Sequence, residues 1–267
     1  MTVDQTNWVG LAAPAVKPDE WSAVIAAAGR GTRLGYDRPK ILFPVAGKSI
    51  LEWLLDLLLP NCKTVIFVLS SDGRGEIEPE LERLAAGRYH IAIQAEPTGM
   101  GDAVAIGAAL VETPNVMVIW GDQVAVRPES VQAILRLHQG SLRPDVTVPT
   151  VLRPNPYIHF PRDEQGRING ILQAREGDSM PQDGESDTGL FCFRTAVLND
   201  LLTRLRLDPQ SRGHRTGEFN LLPAIPLAAL SGYGVITPHL MELEETVGIN
   251  SPADAELIAP YLRRRNG

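Results

Sequence analysis

Apolar runs alternate with amphipathic segments along the first half of the chain. Ala23–Ala26, Thr64–Leu69 and Val116–Trp120 are short, apolar and rich in β-branched residues, as in strands buried on both faces. Between them, apolar residues recur at helical spacing in Ser49–Leu59 and Glu76–Ala86. This alternation predicts a mostly parallel sheet with helices on both faces.

The same reasoning gives further elements, and their character changes after about Asp145, where prolines and short strand candidates replace the regular alternation. The remaining predicted strands are Ile91–Gln94, Asp145–Leu152, Ile168–Gln173 and Gly189–Phe193. The remaining predicted helices are Gly101–Val111, Glu129–His138, Ala196–Leu205, Glu218–Leu230 and a last helix from Ser251. The pattern predicts an α/β fold, a Rossmann-like three-layer sandwich with a second, smaller lobe on the same sheet.

The predicted organisation is an N-terminal arm followed by one domain. Residues 1–20, with Pro14 and Pro18, are expected to form an extended arm. Residues 21–267 form the domain, with a nucleotide-binding half at 21–144, an acceptor-binding lobe at 145–250 and a C-terminal helix at 251–267.

Composition narrows the class of protein. A net charge of −7 argues against a broad nucleic-acid-binding face. No apolar run approaches the ~20 residues of a membrane span, and no signal peptide is recognised. Cys62 and Cys192 form no metal-ligand pattern and are interpreted as buried free thiols, with a disulfide as the lesser alternative. A cytoplasmic protein is expected.

A glycine-rich turn directly follows the first predicted strand. Its sequence is Gly29-Arg30-Gly31-Thr32-Arg33, with Pro39-Lys40 further on. Glycines permit a sharp turn whose backbone N–H groups form a concave anion site, and the arginine and lysine add positive charge. A lone G-x-G after a strand is equally often an ordinary tight turn. The full string is neither a P-loop nor a Rossmann fingerprint, and it favours a site for a nucleoside triphosphate.

Two further motifs fall at predicted strand ends, where ligands bind in open parallel sheets. Asp122 follows an apolar run and could hold Mg²⁺, the alternative being a turn or N-cap aspartate. Gln94 offers the donor and acceptor that complement a nucleobase edge, and Gly99 would let the backbone approach the same base. The alternative is a plain strand-to-helix connection in which Thr98 or Asp102 serves the helix N-terminus.

These residues resemble the signature of sugar-1-phosphate nucleotidylyltransferases. Their order and spacing are closest to the uridylyltransferase domain of bacterial N-acetylglucosamine-1-phosphate uridylyltransferase, from about Trp21 to Leu262. Besides the glycine-rich loop and Lys40, the motifs that carry the resemblance are Leu42–Lys48, Gln94 with Gly99, Trp120-Gly121-Asp122, Asp187-Thr188-Gly189, Gly217-Glu218-Phe219 and Gly248-Ile249-Asn250.

The resemblance implies a fold of the nucleotide-diphospho-sugar transferase type and a role for each motif. Arg33 would bind the departing pyrophosphate, and Lys40 would contact the α-phosphate. Asp122 and Asn250 would hold Mg²⁺. The nucleotide would be bound by Ala28, Gly29, Gly31, Thr32, Gln94, Gly99 and Gly121. The acceptor would be bound by Tyr157, Gln173, Asp187 and Thr188.

Three departures from the family pattern concern the acceptor. Tyr157 is followed by Ile158 and His159, where the family usually has Tyr-Gly-Arg. Gln173 stands where a glutamate is expected, and Asp187 stands where an asparagine is expected. The family's acetyltransferase half, a β-helix of hexapeptide repeats, is also absent, so a monofunctional protein or a fragment is expected. We therefore expect an acceptor other than N-acetylglucosamine 1-phosphate.

The expected reaction is Mg²⁺-assisted, in-line attack of a sugar 1-phosphate on the α-phosphorus of a nucleoside triphosphate, which releases pyrophosphate and an NDP-sugar. The resemblance favours UTP. Two alternatives stay open: a cytidylyl- or guanylyltransferase acting on another phosphorylated acceptor, and a non-catalytic regulatory homologue. The expected partners are the two substrates, without nucleic acid or membrane. Homo-oligomerisation stays open.

Overall fold

The structure is a computed structural model that describes residues 2–3, 15–29, 31–240 and 242–266. Arg30 of the predicted loop and residues 4–14 of the predicted arm lie outside the described residues. The helices are α1 (Ile50–Leu58), α2 (Arg74–Ala85), α3 (Met100–Ala108), α4 (Pro128–Gln139), α5 (Thr195–Leu207), α6 (Ala224–Leu230) and α7 (Pro252–Asn266). The strands are β1 (Thr2–Val3), β2 (Trp21–Ala26), β3 (Pro44–Val45), β4 (Lys48–Ser49), β5 (Thr64–Leu69), β6 (Tyr89–Ile93), β7 (Asn115–Trp120), β8 (Val146–Thr147), β9 (Thr150–Pro154), β10 (Ile158–His159), β11 (Leu172–Gln173), β12 (Asp183–Asp187), β13 (Leu190–Arg194) and β14 (Val235–Pro238).

One central sheet dominates the described part of the chain. Its strand order is β1-β14-β8-β13-β7-β2-β5-β6. Strand β13 is antiparallel to its neighbours β7 and β8, and the other pairings are parallel. The antiparallel pairs β9–β12 and β10–β11 lie outside this sheet and come from the second half of the chain. The predicted mostly parallel, mixed sheet is confirmed.

The uninterrupted apolar strands follow from burial on both faces of the sheet. In β2, Ala23 and Ile25 belong to one core cluster, whereas Val24 belongs to the other. Because side chains alternate between faces along a strand, every position of such a strand must be apolar. Helices α1, α2, α4 and α7 contribute to the first cluster, and α3, α5 and α6 contribute to the second. This is the predicted three-layer arrangement.

The predicted helix Glu218–Leu230 is wrong over its first part, because the helix begins at Ala224. The preceding residues form hydrogen bonds with another loop instead: the Phe219 N–H donates to the Thr98 carbonyl at 2.9 Å, and the Gly101 N–H donates to the Phe219 carbonyl at 2.9 Å. The local sequence does not carry this tertiary pairing, which replaces the helix.

The strands of the smaller lobe were also predicted only in part. The candidate Asp145–Leu152 divides into β8 and β9, which belong to different sheets. Of the candidate Ile168–Gln173, only Leu172–Gln173 is a strand. Strands β1, β3, β4, β10, β12 and β14 were not predicted, and β1 places part of the expected arm against β14. These strands are too short or too polar for their own patterns to identify them.

Two predictions from composition can be compared with the structure. Cys62 and Cys192 are both buried and free, as expected. Among the described residues, no helix combines the length and apolar character needed to cross a membrane.

Candidate active site

The carboxyl ends of β2 and β7 define where the site residues gather. Ala26 and Trp120 are register partners at the ends of these two parallel strands. The chain leaves β2 through Ala27–Gly29 and leaves β7 through Gly121-Asp122. The glycine-rich loop and the aspartate therefore emerge side by side at one edge of the sheet.

Gly31 permits close packing between the glycine-rich loop and Lys40. Its φ is +67°, in the left-handed region, and a Cβ there would lie 2.8 Å from the Lys40 Cβ. The chain then enters a 3-10 turn at Thr32–Leu34. Gly29 is different, because a Cβ there would meet open space. A side chain at position 31 would therefore collide with the Lys40 side chain, whereas position 29 has room for one.

The Lys40 ammonium lies between two oxygen atoms from distant parts of the chain. Its Nζ donates to Asp122 Oδ2 at 2.7 Å and to Asn250 Oδ1 at 2.9 Å. The Arg33 Nη2 donates to the same Asn250 Oδ1 at 3.2 Å. The predicted catalytic and metal residues are therefore assembled into one polar cluster, here named the Lys40 cluster (Arg33, Lys40, Asp122 and Asn250).

Backbone contacts fix the position of Asp122. A Cβ at Gly121 would lie 2.7 Å from the Ala26 carbonyl oxygen, so only glycine permits this approach of the β7 end to β2. The Ile249 N–H donates to the Asp122 carbonyl at 3.0 Å. The Asn250 N–H donates to Asp254 Oδ2 at 2.9 Å. The start of α7 is thus held against the end of β7.

The donor set of the Lys40 cluster fits Mg²⁺. Asp122 supplies a carboxylate and Asn250 an amide oxygen, and both already face one cation, the lysine ammonium. Mg²⁺ is commonly bound by one or two protein oxygens, with phosphate oxygens and waters completing the octahedron. Among the described residues, no group of three or more His, Cys, Asp and Glu side chains could hold a metal. Phosphate oxygens and waters would supply the remaining ligands.

The predicted base-binding loop follows β6. The Gln94 side chain is buried, and its Nε2 donates to the Gly99 carbonyl at 3.0 Å. Gly99 has φ +121°, and a Cβ there would collide with the Phe219 backbone. The Thr98 hydroxyl donates to the Asp102 side chain at 2.7 Å, and α3 has no side-chain cap in the described part of the chain, so the alternative in which either residue caps the helix is not observed. Gln94 and Gly99 are thus adjacent, with the Gln94 amide N–H bonded within its own loop, and their role in base binding stays a prediction.

Asp187 and Thr188 form a buried turn between β12 and β13. The Gly189 N–H donates to Asp187 Oδ1 at 2.7 Å. Burial raises the pKa of the Asp187 carboxyl to about 6, and hydrogen bonds from backbone N–H groups oppose the rise. The Thr188 hydroxyl is buried and has no hydrogen-bond partner among the described residues. The turn therefore contains polar groups that the described protein atoms satisfy only in part.

Gln173 ends β11, and Tyr157 directly precedes β10, the strand that pairs with it. Gln173 Oε1 accepts from Asn220 Nδ2 at 2.5 Å. Tyr157 is more than half exposed. Among the described residues, no hydrogen bond joins either side chain to the Lys40 cluster. Asn220 follows Phe219, whose backbone bonds to the 98–101 loop, and in this way the acceptor side meets the base side.

Sequence reasoning missed two polar residues that link these parts. Gln123 is buried and directly follows Asp122, while Asn220 directly follows Phe219 of a motif that was recognised. The available signal was their position beside motif residues. Neither residue belongs to a periodic pattern, and the carbonyls and amides that they contact are distant in sequence.

Comparisons with known proteins agree with this geometry. The family model described as MobA-like NTP transferase domain matches residues 23–186. Bifunctional protein GlmU of Carboxydothermus hydrogenoformans is 29% identical over 248 residues, covering 91% of this chain and 53% of GlmU. GlmU of Pseudomonas aeruginosa is 30% identical over 247 residues, covering 91% of this chain and 52% of GlmU. The chain thus spans about half the length of these curated relatives.

Two solved structures share the fold. The inositol-1-phosphate CTP transferase from T. maritima superposes with a TM-score of 0.68 at 17% identity, covering 94% of this chain and 98% of the other. The 4-diphosphocytidyl-2C-methyl-D-erythritol synthase from Anaerococcus prevotii superposes with a TM-score of 0.65 at 15% identity, covering 93% of this chain and 98% of the other. Since the family model matches more than half of the chain, the protein belongs to the MobA-like NTP transferase domain family and is a nucleotidyltransferase.

Proposed function

We propose that this nucleotidyltransferase joins UTP and a sugar 1-phosphate, releasing pyrophosphate and a UDP-sugar. The observation that carries the proposal is the Lys40 cluster, with the lysine ammonium held between Asp122 and Asn250 at the carboxyl edge of the sheet. Phosphoryl-type transfer depends on positioning of the substrates and on neutralisation of their charge. The charged and polar groups of the Lys40 cluster can do both.

In this mechanism the chain's own cations act on the triphosphate. Arg33 binds the departing pyrophosphate, and Lys40 releases its present partners and neutralises charge on the α-phosphate. The loop at Ala28, Gly29, Gly31 and Thr32 surrounds the phosphates together with Gly121. Such preorganised donors are each worth about 10²–10³ in turnover in comparable sites. No general base is needed, because an acceptor phosphate oxygen is already ionised near neutral pH.

Asp122 and Asn250 would hold Mg²⁺. A bound Mg²⁺ supplies Lewis-acid charge to the phosphate oxygens. The two side chains contribute one negative charge and one neutral oxygen. Displacement of the lysine ammonium from between them would free both oxygens and deliver Lys40 to the substrate at the same time.

UTP is preferred over the other nucleotides because Gln94 and Gly99 match the residues that bind uracil and thymine in the family that the sequence resembles. The structural likeness to an inositol-1-phosphate CTP transferase favours the second candidate, a cytidylyltransferase for another phosphorylated acceptor. The two candidates share the phosphate chemistry and differ only in the base and the acceptor.

The acceptor is proposed to differ from N-acetylglucosamine 1-phosphate. Gln173 has its carbonyl oxygen bound to Asn220, and a glutamine lacks the charge of the family's glutamate for a sugar hydroxyl. Asp187 adds a buried carboxyl where the family has an amide. Tyr157, Thr188 and these two residues would line the altered pocket.

A matrix of the nucleoside triphosphates against phosphorylated sugars and polyols, read as released pyrophosphate, tests the proposal. UTP with one sugar 1-phosphate should give the highest kcat/KM, and Lys40→Ala should lower turnover at least 100-fold. Lys63→Ala, at an exposed lysine outside the site, is the matched control. A preference for CTP would select the second candidate. High specificity for N-acetylglucosamine 1-phosphate would refute the altered acceptor.

A further inference from the structure

Gln123 stands next to the proposed metal ligand Asp122, yet its side-chain amide donates to residues outside the Lys40 cluster. It is 3% exposed, in the loop after β7. Its Nε2 donates to the Thr188 carbonyl at 2.6 Å and to the Glu245 carbonyl at 3.2 Å. These two hydrogen bonds are named the Gln123 bridge.

The Gln123 bridge joins three segments that carry different parts of the proposed site. Thr188 belongs to the acceptor turn, residues 187–189. Glu245 lies in the 3-10 turn Leu243–Thr246, which leads directly to Asn250. Asp122 precedes Gln123 itself. One amide therefore fixes the acceptor turn relative to both proposed metal ligands.

Other hydrogen bonds hold two of these segments independently of the bridge. The buried Glu245 carboxylate accepts from the Arg127 backbone N–H at 3.0 Å and from the Ser130 hydroxyl at 3.0 Å. The Trp120 N–H donates to the Gly189 carbonyl at 3.0 Å. The surrounding structure should therefore persist when the bridge is removed, which separates positioning from folding.

The Gln123 amide has the two N–H donors that the two carbonyls require. A carboxylate has no N–H to offer, and a thioether is of similar shape but donates nothing. Asparagine carries the amide on a chain one methylene shorter. Close packing leaves no slack, because a Cβ at Gly189 would lie 3.2 Å from the Gln123 Cγ.

We propose that Gln123 is a positioning residue that sets the acceptor turn against Asp122 and Asn250, so that the acceptor phosphate is aligned for in-line attack. This inference rests on the proposed function. In-line displacement is sensitive to misplacement of about 1 Å, whereas nucleotide binding through the glycine-rich loop does not depend on the acceptor turn. Loss of the bridge should therefore affect the acceptor and turnover more than the nucleotide.

The kinetic test compares Gln123→Met and Gln123→Asn with wild type on the best substrate pair. We expect Gln123→Met to raise the KM for the acceptor and to lower kcat, each about tenfold, with the KM for the nucleotide changed less than twofold. Gln123→Asn should recover part of the loss. Gln139→Met is the matched control, since its amide donates to Glu20 at the opposite end of the sheet. Equal losses toward both substrates, or unchanged kinetics, would overturn the inference.

A second readout does not need the substrate. Hydrogen–deuterium exchange should accelerate at least tenfold in peptides covering residues 187–189 and 243–247 of Gln123→Met, and stay at the wild-type rate in Gln139→Met. Unchanged exchange would overturn the inference by itself. A wild-type protein inactive on every substrate pair would instead count against the proposed function, so the two failures are distinguishable.

Discussion

Gly31 illustrates how a single hydrogen atom in place of a side chain controls the site. The residue has φ +67°, and the Lys40 stem occupies the space where a Cβ would lie. Gly35, four residues later, has φ +60° but open space around the same position. A comparison of substitutions at Gly31 and Gly35 therefore distinguishes the effect of backbone strain from the effect of displacing Lys40.

We predict that Gly31→Ala lowers turnover at least tenfold and destabilises the fold by more than Gly35→Ala does. Both variants carry the left-handed strain of about 1–2 kcal/mol, and only the first displaces Lys40. Denaturant unfolding and pyrophosphate release measure the two effects. Equal turnover in the two variants would contradict the role given to this packing.

Asp187 determines a pH dependence of stability. Burial raises the pKa of its carboxyl to about 6, so the folded protein favours the protonated form. The stabilising contribution of this protonation is fully present below the unfolded pKa, near 4, and is lost as the pH rises through about 6. Above that pH the folded state contains a buried charge.

Asp187→Asn should therefore stabilise the protein at about pH 7.5, by up to about 3 kcal/mol for a shift of roughly two pKa units. The difference from wild type should shrink as the pH falls toward 4. Urea unfolding across this range measures it. Asp183→Asn, exposed on the same strand, is the control and should change stability by less than about 0.5 kcal/mol at either pH. A stability gain independent of pH would refute the assignment.

At the scale of elements, helix α3 lies unusually close to the sheet beneath it. A Cβ at Gly107 would lie 2.5 Å from the Val24 Cγ1 and 2.9 Å from the Val68 Cγ2. The absence of a side chain lets the helix settle on β2 and β5. Since the loop that precedes α3 carries Gly99, this seating also places the proposed base-binding loop.

Gly107→Ala should destabilise the protein by about 1–3 kcal/mol, because the added methyl group overpacks the core. Gly75→Ala in α2 is the matched helix control, with open space at the Cβ position, and should stabilise by about 0.5–1 kcal/mol through helix propensity. Thermal and denaturant unfolding give both values. If Gly75→Ala also destabilised the protein, the loss in Gly107→Ala could not be assigned to overpacking of the core.

At the scale of the whole molecule, the Lys40 cluster joins the ends of three widely separated segments. Lys40 comes from the segment after β2, Asp122 from the loop after β7, and Asn250 from the loop before α7. A ligand that binds all three stabilises the folded state, because the unfolded chain has no such site.

Mg²⁺ and UTP together, at about 100 times the dissociation constant, should stabilise wild type by about 2.7 kcal/mol. This corresponds to a rise in Tm of about 5–10 °C for a chain of this size. Chelation of the metal or Lys40→Ala should abolish the shift, whereas Lys63→Ala should retain it. Scanning fluorimetry measures each. A full shift in the Lys40 variant would exclude the lysine from the nucleotide site.

Sequence alone determined the elements that have strong local patterns. Apolar strands such as Thr64–Leu69 must be apolar throughout because both faces of the sheet are covered. The capping pattern Ser49–Glu52 begins α1, and the Glu52 carboxylate accepts from the Ser49 N–H at 2.8 Å. The glycine-rich loop, Lys40 and Asp122 were found for a similar reason, since they follow such strands in order.

Apart from Asp122 and Asn250, which the family resemblance already placed at one metal site, only the tertiary structure decided which distant groups meet. Asn250 reaches Lys40 only because the start of α7 bonds to the end of β7, and Gln123 bridges carbonyls 65 and 122 residues away. The segment before α6 was misread as helix because its partners are in the 98–101 loop. The local sequence pattern indicates only the burial and the secondary-structure propensity of neighbouring residues. Long-range hydrogen bonds depend on how the layers pack, and that was visible only once the chain was folded.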